Sequence, residues 1–207
     1  MGKISRKIRK IAGKDAERPS RLHTRRGDFA PFSQLLLIPK HLIERFRPEH
    51  SGPWMAAGAV KTLNGLLSPD LSLLELGSGS STKWYGERAG SVVSLEPVSD
   101  WALKTRSVTS HLSNVDVRFG PVTETAPSLL SQGGFDVVIV DHDDEPSFSR
   151  CDALRCVGAT VKFVVLDDSD RREYSDADTI MAGWRRERFV SYRHRPLAPT
   201  ETTVYSR

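Results

Sequence analysis

The sequence has only two cysteines and no long hydrophobic run. Cys151 and Cys156 are too few for a disulfide framework and too widely spaced for a CxxC redox motif. The longest apolar run, residues 35–38, ends at Pro39, and a membrane-spanning helix needs ~20 apolar residues. The basic N-terminus lacks the apolar core and cleavage site of a secretion signal. These absences predict a soluble protein of the reducing cytoplasm with no membrane span.

Positive charge is concentrated at the N-terminus, where aromatic residues are absent. Residues 1–26 contain ten lysines and arginines and two carboxylates, a local charge of +8, which leaves −4 for the rest of a chain whose formal charge is +4. A basic arm of this kind either binds nucleic acid or an anionic surface, or is a solvated terminus. Because no aromatic residue precedes Phe29, base stacking is unsupported and a nucleic-acid partner is not favoured.

The hydrophobic pattern divides the chain into three parts: a basic arm (1–28), a helical segment (29–70) and a domain of alternating strands and helices (71–207). In the helical segment we expect two short helices before residue 50 and one that starts near Pro53. Short apolar runs predict strands at 71–77, 91–97, 115–121, 135–141 and 160–168, separated by helices, and 176–187 is typical of a further helix. Residues 188–197 and 200–207 alternate like an antiparallel pair. This order predicts a Rossmann-like, doubly wound, mostly parallel α/β sheet with an antiparallel C-terminal hairpin.

The stretch LLELGSGSST, residues 73–82, joins the first predicted strand to a helix. Gly77 and Gly79 allow a tight turn and let a ligand approach the main chain. The loop lacks the third glycine of the dinucleotide fingerprint and the GK[ST] of a phosphate loop, so no triphosphate cradle is indicated. Glu75 would repel phosphate and favour a cation. Glu96 ends the second strand, where it is either a ribose ligand or a strand-end charge.

The ordered set ELGSGSST, SLEP, FDVVIVDH and FVVLDD resembles the class I S-adenosylmethionine-dependent methyltransferases over roughly residues 50–207. The resemblance implies that Glu75 and the glycine loop hold the methionine end of the cofactor and that Glu96 holds its ribose. The family often places an acidic residue after strand three for the adenine, where this chain has residues 119–122, so Val122 or Thr123 is expected to replace it. The predicted cofactor-binding residues are Glu75, Gly77, Ser78, Gly79, Ser80, Ser81, Glu96, Pro97, Val122 and Asp141.

Carboxylates end the fourth and fifth predicted strands. Asp141 ends one, and Asp167 and Asp168 end the next, so the three should meet at one edge of a parallel sheet. Carboxylates that close repel unless they are neutralised. Mg²⁺ held by these three side chains would do so. The alternative is that Asp167 and Asp168 cap the next helix or pair with Arg171 and Arg172.

His142 is the candidate general base because it stands beside Asp141 and has a reference pKa near ~6.5. An Asp-His pair followed by an Asp-Asp pair resembles metal-dependent O-methyltransferases of the catechol and macrolide-sugar types. The lysine base of the catechol type has no counterpart near Asp144, so His142 takes that role together with Asp141.

The resemblance implies a Mg²⁺-dependent O-methyltransferase acting on a small-molecule or oligosaccharide hydroxyl. The most specific expectation is a mannoside, by similarity to the mannose methyltransferases of mycobacterial polysaccharide synthesis. The alternatives are a metal-independent enzyme acting on nucleic acid or a natural product, and a cofactor-binding module without chemistry. Association into a homo-oligomer is left open.

Overall fold

The computed structural model describes residues 20, 22–36, 52–194 and 197–207, with the backbone alone for 193, 194 and 197. The second helix expected before residue 50 and most of the basic arm lie outside these residues. The strands are β1 Ser72–Leu76, β2 Ser91–Glu96, β3 Val115–Phe119, β4 Val137–Val140, β5 Phe163–Asp167, β6 Arg185–His194 and β7 Leu197–Ser206. The helices are α1 Phe32–Leu35, α2 Ala57–Leu66, α3 Ser80–Gly86, α4 Ser99–Thr109, α5 Val122–Gln132, α6 Arg150–Arg155 and α7 Ala177–Ile180, with a 3₁₀ turn at Arg172–Tyr174.

The seven strands form one sheet in the order β3-β2-β1-β4-β5-β7-β6. Strands β1 to β5 are parallel, whereas β7 runs antiparallel to both β5 and β6. This confirms the predicted doubly wound sheet with an antiparallel C-terminal pair. Strand order reverses between β1 and β4, and ligands of open α/β sheets bind at such a switch point, beyond the carboxyl ends of the strands.

The centre of the sheet is buried on both faces because helices cover each side. Val138 and Val140 of β4 join the core under α5, α6 and α7, while Val137 and Ile139 join the core under α2 and α3. Successive side chains of a strand point to opposite faces. The alternation therefore predicts that residues 141 and 142, directly after β4, face opposite layers.

Two predicted helices are shorter than expected. Helix α2 begins at Ala57 and not near Pro53, because Ala56 is still extended at φ −58° and ψ 133°. The helix predicted over 176–187 ends at Ile180, since Gly183 has a φ of +89° and Arg185 already begins β6. In the part of the chain that the structure describes, no helix is long and apolar enough to cross a membrane.

Residues 22–30 form a small turn that packs against the sheet. His23 and Phe29 make an antiparallel bridge, and the Ala30 main-chain N–H donates to the carbonyl of Leu22 at 2.8 Å. Arg25 and Arg26, at the tip, reach carboxylates beyond β5 and on β7. The last residues of the basic arm are thus in contact with the domain.

Candidate functional site

The loop between β1 and α3 lies against the residues that follow β4. Gly77 has a φ of +92°, and a Cβ there would lie 2.8 Å from the carbonyl oxygen of Asp141 and 2.9 Å from Cα of His142. Only glycine allows this approach. A Cβ on Gly79 would meet no heavy atom of the described residues within 4 Å. The exposed Ser80 donates its hydroxyl to the Gly52 carbonyl at 3.0 Å. The loop therefore packs tightly on one side and leaves open space beside its main chain.

Glu75 is a buried carboxylate held by hydroxyl groups. It accepts hydrogen bonds from Ser81 at 2.5 Å, from Thr82 at 2.6 Å and from Ser94 at 2.6 Å. Burial raises the pKa of Glu75 to about 7, although the three hydroxyls oppose the shift. Glu75 ties β1 to β2 and α3, and its predicted contact with a cofactor stays a prediction. Thr82 and Ser94 were not among the predicted site residues.

Glu96 fixes the glycine loop from β2. One carboxylate oxygen accepts from the Ser78 main-chain N–H at 2.9 Å and from its hydroxyl at 3.0 Å. The other oxygen accepts from the Val98 N–H at 2.9 Å. Ser78 and Glu96 are thus brought together at the carboxyl ends of β1 and β2, with Pro97 half-buried after them.

The start of α5 is capped by a carboxylate from the loop after β4. The main-chain N–H groups of Val122 and Thr123 donate to the two oxygens of Glu145 at 2.8 and 3.1 Å. The Val122 side chain is fully buried. An adenine contact at these groups stays a prediction, and it would have to share them with Glu145.

His142 lies in a different layer from Asp141. Its imidazole is 1% exposed and packs 5.8 Å from the Phe148 ring, on the face covered by α6. Burial, reinforced by Arg150, lowers the pKa of His142 to about 4, although the carboxylates of Asp144 and Glu145 oppose the shift. Neither ring nitrogen has a hydrogen-bond partner of good geometry among the described residues. His142 is therefore neutral and enclosed at neutral pH.

Arg150, the first residue of α6, joins the ends of β4 and β5. Its guanidinium lies 3.1 Å from the Asp141 carboxylate and donates to the main-chain carbonyls of His142 at 2.7 Å and Asp167 at 2.8 Å. Burial alone would lower the pKa of Arg150, but Asp141 and its other acidic neighbours raise it above its usual value. The only sequence signal for this role is a basic residue at the start of the helix after the Asp141 strand.

Asp167 and Asp168 are both buried and both have protein partners. Asp167 accepts from the Thr202 hydroxyl at 2.7 Å. Asp168 forms ion pairs with Arg25 at 3.1 Å and Arg171 at 2.6 Å. Its φ of +50° places a non-glycine residue in the left-handed region, a conformation that is uncommon and that occurs at functional sites.

The acidic segment continues beyond Asp168. Asp170 is fully buried and accepts from the Arg25 main-chain N–H at 2.7 Å and from its guanidinium at 3.1 Å. Arg26 pairs with Glu201 of β7 at 3.2 Å and donates to the Ser169 carbonyl at 2.5 Å. Two arginines from the N-terminal turn thus close over this segment.

Two of the three predicted metal ligands, Asp141 and Asp168, are paired with arginines in this structure. Arg150 neutralises Asp141, while Arg25 and Arg171 neutralise Asp168. Among the described residues, no group of three or more His, Cys, Asp or Glu side chains is placed to hold a metal ion. The ion pair between Asp168 and Arg171, which the sequence offered as the alternative to metal binding, is present.

Solved structures share this fold at low sequence identity. Cofactor-bound Rv0187 from MTB matches with a TM-score of 0.59 and 20% identity, covering 85% of this chain and 90% of that one. An O-methyltransferase from Bacillus cereus in complex with SAH matches at 0.56 and 16%, covering 86% and 92%. Precorrin-6y C5,15-methyltransferase from Geobacter metallireducens matches at 0.54 and 15%, covering 72% and 86%. No family profile and no curated protein matches the sequence. The chain therefore has the class I methyltransferase fold.

Proposed function

We propose that this protein transfers a methyl group from S-adenosylmethionine to a hydroxyl of a small polar acceptor, without a metal ion. The observation that carries the proposal is the tight Gly77–Ser80 loop fixed by Glu96 at the switch point of the sheet. Two similar folds carry a cofactor or SAH, and one of these proteins is an O-methyltransferase. Because the same fold also occurs in a C5,15-methyltransferase, the fold alone does not identify the acceptor.

The cofactor fits the residues at the ends of β1 and β2. The open space beside Gly79 gives access to the loop main chain, which would hold the methionine end. Glu96 can accept from ribose hydroxyls in place of one of its present donors. When bound, the cofactor supplies an electrophilic methyl group.

Asp141 is the residue best placed to handle the acceptor hydroxyl. Its side chain is 33% exposed, beside the glycine loop, and Arg150 fixes it. A carboxylate there can accept the hydrogen bond of a hydroxyl, orient it and take its proton during transfer. We place the proton acceptor at Asp141 rather than at the predicted His142, because the His142 imidazole is enclosed in the opposite layer.

A hydroxylated, sugar-like acceptor suits the polar surroundings of Asp141. Asp143 and Asp144 are exposed in the same turn. Asp144 already accepts from the Arg150 main-chain N–H at 2.8 Å and from the Tyr174 hydroxyl at 3.0 Å, and the remaining lone pairs of the two carboxylates can hydrogen-bond sugar hydroxyls. A flat aromatic acceptor would gain little from them. A mannoside is the acceptor that we propose to test first.

Calorimetric titration of the full chain with S-adenosylmethionine and SAH tests the cofactor assignment. We expect binding, weakened about tenfold in Glu96→Gln, because a hydrogen bond to a charged group contributes about 1.5–3 kcal/mol. Glu87→Gln, an exposed carboxylate at the end of α3, is the matched control. Transfer of labelled methyl groups to a panel of neutral sugars then tests the reaction. Absence of cofactor binding in the wild-type chain would contradict the proposal.

A further inference from the structure

An open cavity of about 460 Å³ lies beyond the carboxyl end of β5, and arginines dominate its lining. We call it the arginine cavity. Its lining residues are Arg25, Arg26, Asp170, Arg171, Arg172 and Ser175. Such a concentration of guanidinium groups in one concave site is typical of recognition of phosphate or carboxylate.

Buried carboxylates hold these arginines in place from behind. Asp168, Asp170 and Glu201 are 2%, 0% and 3% exposed, and they pair with Arg25, Arg26 and Arg171. A guanidinium has five N–H donors in a planar fork, and the partners of the Arg26 guanidinium, Glu201 and the Ser169 carbonyl, use two of them. The anchoring reduces the entropy lost when a ligand binds.

Arg172 gives the cavity an excess of positive charge. Arg25, Arg26 and Arg171 are paired with Asp168, Asp170 and Glu201, and Glu201 is also 3.9 Å from Arg188. Arg172 is exposed and forms no ion pair with the described residues. The site therefore has one more cation than its own acidic groups neutralise. An anionic ligand would neutralise this remaining positive charge.

We propose that the arginine cavity binds the anionic group, a phosphate or a carboxylate, of the methyl acceptor. This inference rests on the proposed function. Only β4 separates β5 from β1, so at the ~4.8 Å spacing of strands the carboxyl ends of β1 and β5 are about 10 Å apart. The cavity lies beyond the end of β5 on this same edge of the sheet. A sugar ring with one charged substituent can bridge that span, with a hydroxyl at Asp141 and the charge at the arginines.

The surroundings favour a small anion over a nucleic acid. The exposed carboxylates of Asp143 and Asp144 lie on the same edge of the sheet and would repel an extended polyanion. A nucleic-acid groove would instead track the backbone with basic and aromatic groups. A compact ligand with one charged group avoids this repulsion.

Calorimetry on the full chain tests the site without catalysis. The probes are inorganic phosphate, mannose 6-phosphate, glucuronate and neutral mannose. The two sugar anions distinguish a phosphate from a carboxylate. We expect an anion to bind and Arg172→Ala to weaken it at least about fivefold, because one charge-assisted contact is lost. Arg185→Ala is the control, because it removes the same charge far from the cavity and should leave anion binding unchanged. In the sheet, Arg185 is in register with Ser206, and Ser206 with Phe163, the first residue of β5, so Arg185 lies at the end of the sheet opposite the cavity.

Equal anion affinity in wild type and Arg172→Ala would overturn the inference. So would binding of heparin with a steep salt dependence while inorganic phosphate and both sugar anions fail to bind. In methyl-transfer assays we expect Arg172→Ala to raise KM for the charged sugar at nearly constant kcat and to leave the neutral sugar unaffected. If methyl transfer is observed but no anion binds at the arginines, the inference is refuted and the proposed function is not. Anion binding at the arginines without methyl transfer to any acceptor would refute the proposed function.

Discussion

The two halves of the sheet edge hold their carboxylates in different ways. At the ends of β1 and β2, Glu75 and Glu96 accept hydrogen bonds from hydroxyl and main-chain N–H groups. At the ends of β4 and β5, Asp141 and Asp168 are paired with arginines. The first half has no cation of its own at these carboxylates among the described contacts. The second half is neutralised by permanent charges, because arginine stays protonated in proteins.

The difference indicates that the two sides of the sheet edge have different roles. A carboxylate held by neutral donors can exchange one of them for a ligand hydroxyl at little electrostatic cost, which suits a cofactor ribose. A buried ion pair is costly to break, because the remaining charge is left uncompensated. The β4–β5 side is therefore a rigid framework, and its exposed parts, Asp141 and the arginine cavity, are where we expect an acceptor to bind.

Of the changes considered, removal of the Arg150 guanidinium should reduce the stability of the β4–β5 side most. In Arg150→Met we expect a loss of about 3–5 kcal/mol in the free energy of unfolding, because Asp141 loses its cation and two carbonyls lose their donor. Urea denaturation measures the change. Arg155→Met, on the same helix but with an exposed ion pair to Asp152, should cost at most about 1 kcal/mol. Similar losses in both variants would show that the buried pair is no more important than a surface one.

Substitution of Asp141 tests its catalytic role against that of His142. We expect Asp141→Asn to lower kcat at least about 100-fold, the usual contribution of a positioned proton acceptor. His142→Phe, which fills the space beside Phe148, should change kcat only a few-fold. Methyl-transfer rates with saturating cofactor provide the comparison, and urea midpoints exclude unfolding as the cause. A larger loss of kcat in His142→Phe than in Asp141→Asn would instead identify His142 as the base.

Glu75 and His142 should affect stability with opposite dependence on pH. The pKa of Glu75 is raised to about 7, so its contribution to stability is present below about pH 4.5 and is lost as pH rises through about 7. The pKa of His142 is lowered to about 4, so its contribution is present above about pH 6.5 and is lost as pH falls through about 4. Each amounts to about 3 kcal/mol over its window. The two largely cancel in the wild type.

Single variants should reveal each dependence. Relative to wild type, Glu75→Gln should become more stable as pH rises from about 4.5 to 7, because the remaining His142 contribution is no longer offset. His142→Phe should instead become less stable over the same range. Urea denaturation at half-unit steps of pH measures both, with the exposed His111→Phe as control. Parallel profiles in all four proteins would contradict this assignment.

Metal removal should have the smallest effect. We expect EDTA, followed by Mg²⁺, to leave the rate of methyl transfer unchanged, because arginines already pair with Asp141 and Asp168, two of the three carboxylates predicted as ligands. Initial rates before and after dialysis against EDTA measure this. A loss of activity that Mg²⁺ restores would mean that the ion pairs of Asp141 and Asp168 rearrange around a metal.

The strands and the residues at their ends were predictable from the sequence. The carboxyl ends of parallel strands meet at one edge, so Glu96, Asp141 and Asp167 could be placed together from the pattern alone. The need to neutralise the carboxylates was also predictable from their number. The means of neutralisation was not, because Arg25 lies 143 residues before Asp168 in the chain and has no local signal that connects the two.

The burial of His142 shows a second limit of local pattern. Its position beside Asp141 made it a natural candidate for the base, but alternation along β4 turns the two side chains to opposite layers. The start of helix α2 at Ala57 was mispredicted. A proline in the first turn is a common signal, but the extended backbone at Ala56 takes precedence, with the Ala56 main-chain N–H donating to the Thr202 hydroxyl.

The contact between Arg26 and Glu201 has a consequence for synthesis of the chain. The partners are 175 residues apart, and ribosomes add roughly 5–20 residues per second, so Arg26 emerges about 10–35 s before Glu201. Throughout that interval the basic turn has none of its acidic partners on β7. Arg25 can already pair with Asp168 and Asp170 before β7 is made, whereas the contact of Arg26 with Glu201 forms only after β7 has been synthesised.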